Sequence, residues 1–290
     1  MNRFAIITDS SADLTEQMVE ELDITVLPLR YTIQGEERPN WPDHREMDPH
    51  AFYDLLRKGE RATTAALNTH DYLEVMTPFL DAGQDVLVLV FSSGLSTTYQ
   101  SSVIAVEELR EKYPDRKIYT VDTLAASLGQ GLLVWYAAGL RAEGKTIEEV
   151  RDWVEENKLH LCHWFTVDDL NHLKRGGRVS AATALVGTML SIKPVLHVDD
   201  EGHLISMSKA RGRAASLKAL VDKMEETAID PGNQTIFISH GDCEDEARKV
   251  ADMVKERFGV QNVVINYVGP VIGAHSGPGT MALFFLGRER

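Results

Sequence analysis

Short apolar runs alternate along this chain with stretches whose apolar residues recur every three or four positions. The runs read as buried strands and the stretches as amphipathic helices, so their alternation predicts an α/β fold. Phe4–Ile7 opens the series as a strand, and Leu14, Met18, Val19 and Leu22 then share one helical face. Ile24–Ile33 reads as a strand. Helices follow near Pro49–Lys58 and His70–Ala82, then a strand at Val86–Phe91, a helix over Thr97–Lys112 and a strand at Lys117–Val121. Leu124–Glu143 is mostly apolar, as a helix buried on most sides must be. Thr146–Asn157 is another helix. Near residue 160 the pattern changes. Strand Leu159–Val167 leads to a bend at Gly176–Gly177 and a helix at Ala181–Ser191. Strands Val195–Val198 and His203–Met207 flank a turn at Asp199–Gly202, and helices Ala214–Thr227 and Glu244–Phe258 alternate with strands Thr235–Ser239 and Val263–Tyr267. The expected organisation is an N-terminal parallel-sheet α/β domain, residues 1–160, and a C-terminal two-layer α/β domain, residues 161–290. Gln34–His50 is charged and interrupted by Pro39, Pro42 and Pro49. It reads as a small exposed insertion, a hairpin placed to cover an adjoining site.

The strand Val86–Phe91 stops in a loop crowded with hydroxyls: Ser92, Ser93, Ser96, Thr97 and Thr98. In open α/β sheets ligands bind at the C-terminal ends of strands. This loop carries no carboxylate, His, Cys or Lys, so its chemistry is to hold an oxygen-bearing group rather than to attack one. Other small-residue segments stand at element junctions: Thr8–Ser11, Thr63–Asn68, Arg175–Arg178, and Gly269–Gly279 with His275.

Composition narrows the function classes. The 290 residues are 43% hydrophobic, enough for a large core, and carry a net charge of −14 with a pI near 5.2. An acidic surface repels phosphate backbones, which argues against nucleic acid as a partner. Two cysteines, Cys162 and Cys243, are too few for a disulfide framework and fit a reducing compartment. The apolar run at the N-terminus is too short for a signal-peptide core, and no stretch approaches the ~20 residues that span a bilayer. A soluble cytoplasmic protein is expected.

Several motifs point to chemistry that their context does not support. Gly139–Thr146 matches the P-loop pattern, but no strand precedes it. Gly144 stands where a helix ends, and Thr146 with Glu149 forms a capping box for the next helix. Gly277–Ala282 resembles a dinucleotide fingerprint, yet too few residues follow for a βαβ unit. His160, Cys162 and His163 do not share one strand face, so no metal is expected there. The nucleophile elbow G-x-S-x-G is absent. A serine-based acyl hydrolase using Ser93, with His240 or His275 as base and Asp9 to orient it, or a small-molecule phosphotransferase, stands as the alternative reading.

The segments, taken in order, resemble the DegV family, the bacterial fatty-acid-binding proteins that include the carrier subunits of fatty acid kinase. Thr8-Asp9-Ser10-Ser11-Ala12-Asp13-Leu14 is similar to the family's T-D-S-x-x-D-L, and Ser92-Ser93-Gly94-Leu95-Ser96-Thr97-Thr98-Tyr99 to its S-S-x-L-S-G-T-Y. Asp168–Val179 resembles D-x-L-x-x-L-x-K-G-G-R-I, and Ile192–Leu196 and His275 with Gly277-Pro278-Gly279 also match. Thr97 stands where the family usually has Gly, and Ala65 where a Ser is common. The resemblance implies a two-domain DegV-like fold with one long-chain fatty acid in a buried tunnel between the domains. It implies a carboxyl group held by Thr64 and Ser93, supported by His275 and Arg178, with Ser96 and Ser10 in the same lipid-binding set. His275 is expected to share or accept a proton near neutral pH. The implied partner is a kinase that phosphorylates the carboxyl group while the carrier keeps the acyl phosphate. No cofactor and no independent catalysis are expected, and contact with a membrane would be transient. Lys209, Arg211 and Arg213 form a short basic cluster, read either as a solvated helix start or as a docking patch for the kinase.

Overall fold

The computed structural model describes residues 4–179 and 192–290. The N-terminal half runs β1 (Ala5–Asp9), α1 (Glu16–Glu21), β2 (Ile24–Leu27), β3 (Arg30–Ile33), β4 (Glu36–Pro39), α2 (Pro49–Arg57), β5 (Ala62–Ala65) and α3 (Thr69–Asp81). It continues with β6 (Val86–Val90), α4 (Thr98–Lys112), β7 (Ile118–Asp122), α5 (Leu128–Ala142) and α6 (Ile147–Asn157). Then come β8 (Leu161–Thr166), α7 (Asn171–Arg175), β9 (Ile192–Val198), β10 (Leu204–Arg211) and α8 (Arg213–Thr227). The chain closes with β11 (Thr235–His240), α9 (Glu244–Phe258), β12 (Asn262–Tyr267), α10 (Pro270–Ser276) and β13 (Met281–Leu286). The fold is α/β, with a parallel sheet in the order β2-β1-β6-β7 and a mixed sheet in the order β10-β9-β8-β13-β11-β12.

Side-chain alternation explains the layering. In a strand, successive residues point to opposite faces. Ile7, Val86, Val88 and Val90 pack with Tyr72 and Met76 of α3 and Ala105 and Leu109 of α4. Ile6, Leu87 and Leu89 face the other way, onto Leu132 and Leu133 of α5 and Val150 and Val154 of α6. The same cluster takes in Leu161, Phe165, Phe237 and Phe284 of the mixed sheet, so α5 lies between two sheets. That position is why its sequence is apolar nearly all round. The far face of the mixed sheet buries Trp164, Ile236, Ile238 and Leu283 against α8 and α9.

Several elements differ from the sequence reading for identifiable reasons. Ile24–Ile33 divides into β2 and β3 in different sheets, because Pro28 interrupts it and supplies no amide for a ladder. The hairpin expected beyond Gln34 begins earlier. It is β3–β4, turned at Gln34 (φ 54°) and Gly35 (φ 79°), the positive angles that a two-residue hairpin turn requires. With β5 it makes a third, antiparallel sheet, so Thr63 and Thr64 lie on a strand and not in a loop. Residues 124–127 precede α5 rather than belonging to it, with Leu124 and Ser127 at positive φ. Part of the Gly269–Gly279 segment is the helix α10, and β13 follows it where no strand was expected. The helix read at 181–191 lies outside the described residues. The P-loop lookalike is a junction of helices, with Gly139 inside α5, Gly144 at φ 89°, and Thr146 and Glu149 capping α6 reciprocally.

Candidate functional site

The site begins where β6 ends. Asp9, at the end of neighbouring β1, takes the Phe91 amide out of the ladder with Oδ2, at 2.9 Å. The chain then turns back on itself. Ser92 N donates to Ala125 O at 3.0 Å, and the Leu95 and Ser96 amides both donate to Ser92 O at 3.1 Å. Ser92 Oγ donates to Gly202 O at 2.9 Å, which docks this serine loop on the turn between β9 and β10. The approach is close enough to need glycine at residue 94, where a Cβ would lie 2.7 Å from Glu201 O. Arg290 fixes the same turn from behind, donating to the carbonyls of Asp199, Leu124 and Leu161 at 2.9, 2.8 and 3.2 Å.

The loop forms one wall of a cavity of about 370 Å³, within the usual range for small-molecule sites. Phe165, Val198, Leu204, Ala282 and Phe284 line it from the mixed sheet, and Val271 and Ile272 from α10. Its polar residues include Thr64 of β5, Ser93 and Ser96 of the serine loop, Arg178, and His275 of α10. Ser93, Ala65, Ala66 and Thr97 are exposed, so this hydroxyl-bearing rim is the mouth and the apolar wall lies inside.

Thr64 Oγ1 and His275 Nε2 share a hydrogen bond of 2.8 Å. The Nδ1 edge of the imidazole abuts Gly176, where a Cβ would be 2.3 Å from Nδ1. Burial, helped by the Arg178 charge, lowers the His275 pKa from 6.5 to about 4. The imidazole is therefore neutral at physiological pH, in place of the proton exchange near neutrality expected from sequence. Arg178 donates through Nε to Leu95 O at 3.4 Å and through a second nitrogen to Gly176 O. It thus ties the serine loop to the Gly-Gly bend that supports His275.

The remaining candidate residues are placed differently. Ser96 is turned toward the start of α4, its Oγ 2.8 Å from Thr98 Oγ1 and accepting the Thr98 amide at 3.2 Å. Ser10 does not reach the cavity. Its Oγ accepts the Leu29 amide at 2.9 Å in the buried turn after β1, so it stabilises a chain crossing away from the cavity. Lys209 and Arg211 are exposed on edge strand β10. Arg213 is not part of a free patch, because its guanidinium is mostly buried and bonded to Glu246 at 2.7 and 2.9 Å. Sequence reasoning missed Ser127, Ser239 and Ser276, which also line the cavity, and His163, whose strand face carries it there. Thr97 sits at φ −81°, ψ 1°, a backbone open to any residue, so nothing at this position demands the glycine usual in the family. Among the described residues, His50, Asp54 and Asp242 lie close enough to share a cation, but Arg57 already occupies Asp242.

The family model for DegV, described as an uncharacterised protein family, matches residues 3–288. The chain belongs to the DegV family. This DegV protein is 50% identical over 287 residues to a DegV domain-containing protein of Clostridium perfringens, covering 99% of this chain and 98% of that one. It is similar to a Thermus thermophilus DegV family protein whose structure describes fatty acid binding, at 30% identity and TM-score 0.87, over 98% of this chain and 99% of that one. A DegV lipid-binding protein from Thermotoga maritima matches at 30% identity and TM-score 0.85, over 99% of each chain. No helix among the described residues of this DegV protein is long and apolar enough to cross a membrane.

Proposed function

We propose that this protein is a carrier that holds one long-chain fatty acid in the 370 Å³ cavity, with the carboxyl group at the Thr64–Ser93 mouth. The observation that carries the reading is a cavity whose wall is mostly apolar and whose exposed rim carries the neutral hydroxyls of Ser93 and Thr97. Burying an acyl chain contributes about 0.8 kcal/mol per methylene, so the wall supplies the affinity. Hydroxyls donate and accept, and so can meet either protonation state of a carboxyl group. The fatty acid and lipid binding of the Thermus and Thermotoga relatives supports the same ligand here. Lipid extraction of freshly purified protein followed by mass spectrometry tests it, with one fatty acid per chain expected. An empty cavity together with ester hydrolysis abolished by Ser93→Ala would favour an acyl hydrolase instead.

In this reading the exposed rim leaves the carboxyl group within reach of a partner kinase, which forms an acyl phosphate that the carrier retains. No group at the mouth is needed as a nucleophile. Lys209 and Arg211, which have no ion pair among the described residues, are the cations left to meet an acidic kinase surface. The double variant Lys209→Ala/Arg211→Ala is expected to bind fatty acid normally and to accept phosphate from the kinase at least about tenfold more slowly. Unchanged turnover would remove this edge strand from the docking surface.

The close packing of His275 on Gly176 gives a sharper test of the head-group site. Gly176→Ala forces the imidazole off its seat and breaks the Thr64 bond. Thr64, no longer held by His275, then loses its hydrogen bond to the fatty-acid carboxylate; a bond to such a charged group is worth about 1.5–3 kcal/mol, so fatty-acid affinity should fall roughly tenfold to a hundredfold while the fold persists. Calorimetric titration of delipidated protein measures the loss.

A further inference from the structure

Two carboxyl groups of the opening segment, Asp9 and Asp13, are buried, and neither lines the cavity. Each instead holds the backbone where a wall of the mouth begins. Asp9 does so for the serine loop, through the Phe91 amide. Asp13 does so for α10. Its Oδ1 accepts the amide of Gly269, the residue that opens the helix, at 3.0 Å, and its Oδ2 accepts from Ser127 Oγ at 2.5 Å. Ser127 in turn lies 3.0 Å from Ser239, Oγ to Oγ, and both line the cavity. The Asp13 carbonyl accepts from Asn266 Nδ2 at 2.7 Å. Asp13 is left-handed, at φ 51°, a conformation aspartate tolerates better than most residues. Gly269 leaves no room for a side chain, since a Cβ would lie 2.6 Å from Asp13 Oδ1. The helix has seven residues and ends in His275 and Ser276, so a shift at its start is a shift of the imidazole that Thr64 bonds.

We propose that Asp13 is a positioning residue, locking the start of α10 to the N-terminal segment and so fixing the Thr64–His275 pair and, through Ser127, the inner wall of the cavity. Its effect on affinity rests on the fatty-acid reading above; its effect on His275 does not. The ionisable groups around this carboxyl are Asp9 at the end of β1, Tyr53 of α2, His44, and Tyr267 of β12. Asparagine supplies the same shape, with an acceptor for the Gly269 amide and a donor for Ser127 Oγ.

The test uses the full chain, stripped of lipid, with palmitic acid as the probe and ¹⁵N-histidine NMR as a second readout. Asp13→Ala is expected to weaken palmitate binding at least tenfold and to shift the His275 ring-nitrogen resonances. Asp13→Asn is expected to recover both to within threefold of wild-type affinity. An alanine variant that folds, keeps the wild-type resonances and binds palmitate normally overturns the proposal. Where Asp13→Ala does not fold, Gly269→Ala decides, because its methyl group presses on Asp13 Oδ1. Displaced His275 resonances support the proposal and unmoved ones refute it. Wild-type protein that binds no palmitate refutes the fatty-acid reading alone, since the imidazole shift still decides the role of Asp13.

Discussion

Replacing Ala282 with phenylalanine is expected to cost at least about a hundredfold in fatty-acid affinity. Ala282 lies on β13, with Ser239 and Phe165 as its cross-strand neighbours, and its methyl group lines the cavity. A phenyl ring there takes up much of the 370 Å³ open to an acyl chain. Excluding even four methylenes removes about 3 kcal/mol, at ~0.8 kcal/mol each, and a tenfold change in affinity is about 1.4 kcal/mol. The unliganded protein should keep its stability within about 1–2 kcal/mol, because the ring enters empty space rather than a packed core. The combination is diagnostic: displacement of a fluorescent fatty acid fails while thermal unfolding is nearly unchanged. Wild-type affinity in this variant would mean that the chain lies elsewhere.

The mouth changes how the ligand's charge has to be handled. A carboxylate taken wholly out of water must be paired or protonated. Here Ser93 and the neighbouring rim residues are exposed, so a carboxylate held at this mouth would keep part of its hydration shell. His275 is neutral, and Arg178 is directed to main-chain carbonyls of the serine loop and the Gly-Gly bend. On the proposed fatty-acid reading, the head group would therefore meet mainly dipoles, with the guanidinium charge nearby, and binding energy would come chiefly from the chain. In the proposed carrier role that division would suit release of the fatty acid, because the polar end stays accessible.

The α/β class and the serine loop were legible because β6 is an uninterrupted apolar run ending in hydroxyls, a pattern set by local physics. The amphipathic stripe of α9, with Ala247, Val250, Ala251 and Val254 buried, was equally plain. What stayed hidden depended on partners distant in sequence. Ser10 looks like any site hydroxyl until the Leu29 amide is seen to occupy it. Arg213 reads as part of a basic run until Glu246, on another helix, claims it. β5 is only four residues long, without a large apolar side chain, and is held in place by its pairing with β3. His163 shows how little separates a bland residue from a cavity wall. Its strand was foreseen, but the cavity-facing side is set by which sheet face meets α5.

Asp13→Asn is expected to make the protein more stable at alkaline pH and to change it little near pH 4. Burial raises the Asp13 pKa from 3.8 to about 8, against the opposing hydrogen bonds from Ser127 and Gly269, and nearby Asp9 adds to the rise. The folded state therefore holds a proton that the unfolded chain gives up at lower pH. Stability from this group is present below pH 3.8 and is lost as pH rises through about 8. Each pH unit in that window removes about 1.4 kcal/mol, so the full span amounts to a loss on the order of 5 kcal/mol. Asparagine cannot ionise and keeps the neutral carboxyl's shape, so the variant escapes the decline. Asp9 is also raised by burial and leaves a slope of its own in both proteins, which makes the difference between the two curves the quantity to read. Urea denaturation at pH 5 and pH 8.5 should show the variant gaining several kcal/mol on the wild type between the two conditions. Parallel curves would mean that Asp13 is already ionised at neutral pH, and the bond to Gly269 would then be one made by an anion.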